Sequence, residues 1–245
     1  MEQAIYEDLL FLYGEELARP TFKRLKQILA RFQSHHPQLT HQPTDSRVSE
    51  HDSILITYGD MVKEPNKAPL LTLANFLRRH IANTVSTIHI LPFFPYSSDD
   101  GFSVIDYKVV DPKLGNWDHV QAINQHFQLM FDAVINHISA ESDWFKGYLR
   151  NDPQYHDYFI EVEPSTDLSQ VFRPRTLPLL TPAKQMTAAG DTIEKLVWTT
   201  FSSDQIDLNY HNPDLFLEIV DILLFYVAQG AQFIRLDAVA FLWKK

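Results

Sequence analysis

Four short apolar runs, Ile54–Asp60, Thr87–Leu91, Gln128–Ile135 and Ala231–Ala238, constrain this chain more than any other feature. Each is short enough for a strand and rich in β-branched or aromatic residues, and each is stopped by a glycine, a proline or a polar turn. Between them lie segments whose apolar residues recur at helical spacing. Leu70, Leu73, Phe76, Leu77 and Ile81 follow the first run; Trp117, Val120 and Ile123 follow the second, behind Asn116 as an N-cap; residues 214–229 precede the fourth, behind Pro213. Strand alternating with helix predicts an α/β fold with a parallel sheet, because only a helical crossover returns the chain to the same edge in the same direction. Residues 2–33 add helical periodicity, which Pro20 is expected to divide, with Thr21 starting a second helix. The polar stretch from Ser34 to Ser53, with His35, His36, His41 and His51, reads as a solvated linker without metal-ligand spacing.

The segment between the third run and its helix, Ile138 to His211, is too long for an ordinary loop. It holds Pro153, Pro164, Pro174, Pro178 and Pro182, and reads as an inserted unit. The expected organisation is a helical extension with linker at 1–50, a first part of a (β/α) barrel at 51–137, a small inserted domain at 138–211, and a third helix and fourth strand at 212–245.

Composition removes several function classes. The net charge of −10 argues against nucleic acid or an anionic membrane surface as partner. There are no cysteines, so disulfides and thiolate metal sites are excluded, which fits a reducing compartment. The start, Met1 to Asp8, has no basic and apolar leader pattern, and no apolar run approaches the roughly 20 residues a membrane span needs. A cytoplasmic protein is expected.

In the fourth run, Phe233, Arg235 and Asp237 share one face of a strand, so a cation and a carboxylate stand side by side at its carboxyl end. Such a pair is either structural or, in a barrel, placed where the chemistry is kept. Its company decides between these. Asp132-Ala-Val-Ile-Asn136-His137, Asp100-Gly101-Phe102, Gln205-Ile-Asp207-Leu208-Asn209 and Arg235-Leu-Asp237-Ala238 resemble, in order and spacing, the signature regions of the α-amylase superfamily, glycoside hydrolase family 13. Arg173-Pro-Arg175 with Leu196-Val-Trp198 resembles its sucrose phosphorylase branch, and the likeness runs over roughly residues 52 to 245.

That resemblance implies a (β/α)8 TIM barrel, here reaching its fourth strand, with an irregular insert after the third. It implies a retaining transfer of glucosyl from sucrose or a related α-glucoside to phosphate, in which two carboxyl groups stand roughly 5–5.5 Å apart across the anomeric carbon. By the match, Asp237 is the nucleophile, and Arg235 keeps it ionised and oriented. His137 and Asp100 bind hydroxyls of the glucosyl ring, with Asp99 the competitor of Asp100 if the loop register differs, and Asp132 supports the site from behind. Phe102, Phe201 and Gln205 line the same pocket, and Arg175 receives phosphate. Phe241 lies on the acceptor side, where sucrose phosphorylase carries tyrosine, which leaves glucosylglycerate, glucosylglycerol or a phosphorylated sucrose open as substrates.

Asn136 resembles a calcium ligand of many amylases, but the phosphorylase branch implies no metal and no cofactor, with inorganic phosphate as co-substrate. The resemblance implies a general acid, a glutamate, at the end of the fifth strand. The sequence given ends at Lys245, eight residues after Asp237, so an inactive isolated chain is expected. The rival readings are an α-glucosidase or transglucosidase of the same superfamily, and a non-catalytic sugar-binding remnant.

Overall fold

A computed structural model of the chain describes residues 2–39, 49–50 and 52–244. His41 and His51 of the expected linker, with the rest of residues 40–48, lie outside the described residues. The chain opens with helix α1, Glu2–His35. Its break falls at Gly14, whose φ of +71° and ψ of 174° leave the helical region, and not at Pro20, which sits inside the second helical stretch. Glycine takes a positive φ without steric cost, so the chain turns there. Thr21, instead of starting a helix, donates its hydroxyl to the Leu17 carbonyl one turn back.

Strand β1 (Ile54–Thr57) leads through helix α2 (Pro69–His80) to β2 (Thr87–Ile90), and helix α3 (Trp117–Asn124) leads to β3 (Gln128–Ala133). Asn116 caps α3 by accepting from the His119 backbone N–H, and His119 returns the bond through Nδ1. After β3 the chain enters the insert: β4 (His137–Ser139), α4 (Asp143–Leu149), the hairpin β5 (Leu180–Met186) and β6 (Thr192–Trp198), and β7 (Gln205–Asp207). Helix α5 (Pro213–Ala228), capped by Asn212, then leads to β8 (Ala231–Leu236).

The strands β1-β2-β3-β8 form one parallel sheet in that order, each pair joined through a helix. This is the first half of a (β/α)8 barrel, and the four expected strands are the four observed. Strand β2 is buried along its whole length, whereas Ile54 and Ile56 of the edge strand β1 are 48% and 60% exposed. The core behind the sheet is aromatic. Phe93 meets Phe131 edge-on at 5.0 Å, and Phe94 stacks on Tyr226 of α5 at 5.2 Å. A smaller cluster of Leu9, Ala18, Leu25 and Leu217 fixes α1 against α5, with the Arg24–Asp214 and Arg31–Asp221 ion pairs beside it.

The insert is pinned at its neck by antiparallel pairing of β4 with β7, which sets His137 opposite Asp207 and Ser139 opposite Gln205. Beyond the neck, turns and bends fill residues 150–179, and then β5 and β6 pair over seven residues each. The expected irregular unit therefore contains one regular hairpin.

Candidate active site

Three neighbouring strands each send one polar residue to the same place. His89 of β2, Asp132 of β3 and Arg235 of β8 are buried or half-buried among apolar neighbours, and Asp132 stands in register with Arg235. Asp132 is fully buried and carries two bonds, one to His89 Nε2 at 2.7 Å and one from Arg235 Nη1 at 2.5 Å. A buried carboxylate needs such partners, because desolvation otherwise drives it to its neutral form. Arg235 reaches onward to Asp237 at 3.1 Å, and the Asp237 backbone N–H extends the ladder to the Ala133 carbonyl. The Arg235 guanidinium is held above its usual range, chiefly by its hydrogen bond to Asp132 and against its partial burial. It is therefore a permanent cation beside Asp237, whose side chain keeps 18% exposure while that of Asp132 has none. Ala238 follows with φ +50°, an unusual conformation for a residue with a Cβ and one that turns the chain sharply at this point.

A second cluster gathers at the insert's neck. His137, 2% exposed, uses both ring nitrogens: Nε2 lies 2.9 Å from the Phe102 carbonyl and Nδ1 lies 3.2 Å from the Asn136 amide nitrogen. An amide can only donate to Nδ1 and a carbonyl can only accept from Nε2, which favours the Nε2–H tautomer over a bond from the Gln205 amide nitrogen, 3.2 Å from the same Nε2. Burial lowers the imidazole pKa below 6.5, opposed by the Asp207 carboxylate and the Phe102 bond, so the ring is neutral at pH 7. Gln205 donates to the Phe102 carbonyl at 3.2 Å and to Asp99 at 3.0 Å. Rings continue the cluster outward: Phe201 lies 5.2 Å from His137, Phe241 meets Phe201 edge-on at 5.4 Å, and the exposed Phe172 stacks on Phe241 at 6.3 Å.

Of the sequence candidates, the structure thus joins Arg235 with Asp237, and His137, Phe102, Gln205, Phe201 and Phe241 with one another. Asp100 and Arg175 stand apart. Between the two neighbouring aspartates it is Asp99 that meets Gln205, while Asp100 lines a cleft of about 470 Å³ with Tyr58, Tyr96 and Asp111. Burial pushes the Tyr58 hydroxyl pKa up, helped by the nearby Asp100 and Asp99 charges. Arg175 is exposed and without an ion pair among the described residues. A larger cleft of about 740 Å³ lies away from this site between α1 and α5, where Arg24, Arg31 and Lys108 already face Asp214 and Asp221.

Three contributors escaped the sequence reading. His89 is the one ionisable residue inside a fully buried strand, a signal present in the run Thr87–Leu91. Lys244 sends its ammonium to Asp207 at 2.8 Å, to Asn136 Oδ1 at 3.3 Å and to the Phe241 carbonyl at 2.5 Å. The oxygens of Asn136 and Asp207 that a cation would use are therefore occupied by this ammonium. Among the described residues no group of three or more histidines or carboxylates could hold a metal ion. Asp204, the third, joins segments about a hundred positions apart, which no local pattern announces.

A half-barrel that collects a carboxylate, a guanidinium and a polar neck at the carboxyl ends of its strands has the arrangement in which barrel enzymes keep their sites. The alpha-amylase catalytic domain family matches residues 83–245, and the chain belongs to that family. It is 52% identical over 241 residues to the glucosylglycerate phosphorylase of Spirochaeta thermophila, covering 98% of this chain and 40% of that protein. The glucosylglycerate phosphorylase of Escherichia coli K12 is 45% identical, covering 100% of this chain and 42% of its own length. Among solved structures, the sucrose 6F-phosphate phosphorylase from Thermoanaerobacter thermosaccharolyticum superposes with a TM-score of 0.73 at 29% identity, covering 84% of this chain and 43% of that one. The chain spans about two fifths of the length of these relatives. Its close relatives are phosphorylases. Among the described residues no helix is long and apolar enough to cross a membrane.

Proposed function

We propose that this chain carries the nucleophile half of a cytoplasmic, retaining α-glucosyl phosphorylase whose glucosyl donor is α-glucosylglycerate. The observation that carries the reading is Asp237, partly open to solvent and paired with a permanent guanidinium at the carboxyl end of a barrel strand. The names of the relatives at 52% and 45% identity support glycerate as the leaving group over fructose. Phe241, without a hydroxyl, agrees with an acceptor side unlike that of sucrose phosphorylase.

An Asp237 carboxylate oxygen attacks the anomeric carbon as the bond to the glycerate oxygen breaks. That oxygen takes its proton from the family's glutamate, expected beyond Lys245, and a β-glucosyl ester remains on Asp237. A phosphate oxygen then attacks the same carbon from the opposite face and passes its proton to the glutamate. The ester bond breaks, Asp237 returns as carboxylate, and α-glucose 1-phosphate leaves with its configuration retained. Arg235 holds the Asp237 carboxylate charged and aimed, while Arg175, exposed and without an ion pair among the described residues, receives the phosphate.

The test assays this chain alone and joined to the remaining C-terminal part of the Spirochaeta thermophila relative. The joined polypeptide should form glucose 1-phosphate from glucosylglycerate only when phosphate is present, and the chain alone should not turn over. Phosphate-independent release of glucose would instead identify a glucosidase, and sugar binding without turnover by the joined polypeptide would leave a binding protein.

A further inference from the structure

The loop between β2 and α3 holds three consecutive residues in the left-handed region: Asp99 at φ +55°, Asp100 at +49° and Gly101 at +105°. Only the third is a glycine, and there a Cβ would stand 2.7 Å from the Pro92 carbonyl oxygen. Two non-glycine residues in that region are unfavourable and persist only where the surroundings over-determine them. These surroundings converge on one carboxylate oxygen. Asp204 Oδ2 accepts from the hydroxyls of Ser97 at 2.6 Å, Ser98 at 2.5 Å and Ser103 at 2.7 Å, the residues that flank the left-handed turn on both sides. Ser97 also lies 2.5 Å from the hydroxyl of Ser139, in β4 of the insert's neck. The Asp204 carbonyl accepts from the Ala140 backbone N–H at 2.9 Å, so the aspartate is tied to the neck by its main chain as well.

We infer that Asp204 is a positioning residue: it holds the loop of residues 97–103 in its left-handed turn and so presents Asp99 and the Phe102 carbonyl to the glucosyl pocket. Asp204 is adjacent to Gln205, which donates to both Asp99 and the Phe102 carbonyl, and the same carbonyl bonds His137. The carboxylate thus sets the distance between the loop and the neck, the two pieces that would grip one sugar ring. Hydroxyl donors to a charged acceptor make stronger bonds than neutral pairs, which is what a strained turn needs to stay in place. This inference rests on the reading of the site as a glucosyl pocket. Asp204 itself touches no substrate in it.

The test has two arms, each with Asp204→Ala and Asp204→Asn. In the first, backbone hydrogen exchange is followed on this chain as it stands. Asp204→Ala should speed exchange of the Ser97, Phe102 and Ser103 amides by about tenfold or more while leaving Leu129 and Phe131 of β3 unchanged. Asp204→Asn, which keeps one acceptor oxygen, should fall between wild type and Ala. Unchanged exchange in the loop, or an equal rise in β3, would overturn the inference. In the second arm, on the joined polypeptide, Asp204→Ala should raise KM for glucosylglycerate about tenfold with kcat altered less than about threefold. A fall in kcat at unchanged KM would contradict it. If the unmutated joined polypeptide fails to phosphorolyse, the functional reading fails, and the exchange experiment still decides the role of Asp204.

Discussion

At the carboxyl ends of β3 and β8, every charged group has a fixed partner: His89 and Arg235 hold Asp132, and Arg235 holds Asp237. The stretch of the insert before β5 is the opposite. There Phe172 is 73% exposed, Arg175 is exposed with no ion pair among the described residues, and Arg173 donates to the Leu177 carbonyl. One region is built from strands that neighbour one another in the sheet, so its geometry is set before any ligand arrives. The other is loop, carrying charge and ring surface with little to hold it. Under the proposed function, the contrast fits a preorganised glucosyl side and an adaptable acceptor side.

The comparison breaks most visibly at Asp237. In the joined polypeptide, Asp237→Asn should reduce phosphorolysis by about 10⁴-fold or more, measured as glucose 1-phosphate release, since the amide cannot form the ester. Stability should change little, because Arg235 keeps Asp132. Removing the buried member instead should strike the fold. Asp132→Ala leaves His89 and Arg235 without their shared acceptor, and urea denaturation should show a loss of about 2–4 kcal/mol, less than for a fully buried pair because Arg235 is half exposed. Arg175→Ala tests the adaptable side: KM for phosphate should rise about tenfold, while the urea midpoint stays within about 0.5 kcal/mol of wild type.

The smallest effect is a pH dependence. The folded-state pKa of His137 is lowered by burial, so the unfolded chain binds the proton more readily. Its contribution is full above pH 6.5 and is lost as pH falls below that value toward the folded pKa. His137→Gln should flatten the stability profile across that window, read by denaturant titration at several pH values.

Much of this arrangement is legible in the residues. The four strands announce themselves as apolar runs bounded by turns, and the signature segments pick out Arg235 and Asp237 at the end of β8 and His137 and Gln205 at the insert's neck. Proline at position 20 is the louder signal for a break in α1, yet the helix carries it while Gly14 takes a backbone angle that other residues resist. Asp99 and Asp100 are indistinguishable in sequence; a left-handed turn decides which one meets Gln205. Asp204 and Lys244 bind partners that lie about a hundred positions earlier in the chain, and such contacts leave no periodicity to read.

The central claim is that Asp237 carries the glucosyl group. Its most direct test is mass spectrometry of the joined polypeptide, quenched during reaction with glucosylglycerate in the absence of phosphate and digested. The peptide containing Asp237 should gain the mass of one anhydroglucosyl unit, and added phosphate should discharge it as α-glucose 1-phosphate. Turnover with retained configuration but with the label on another residue, or inverted product with no label at all, would contradict the account.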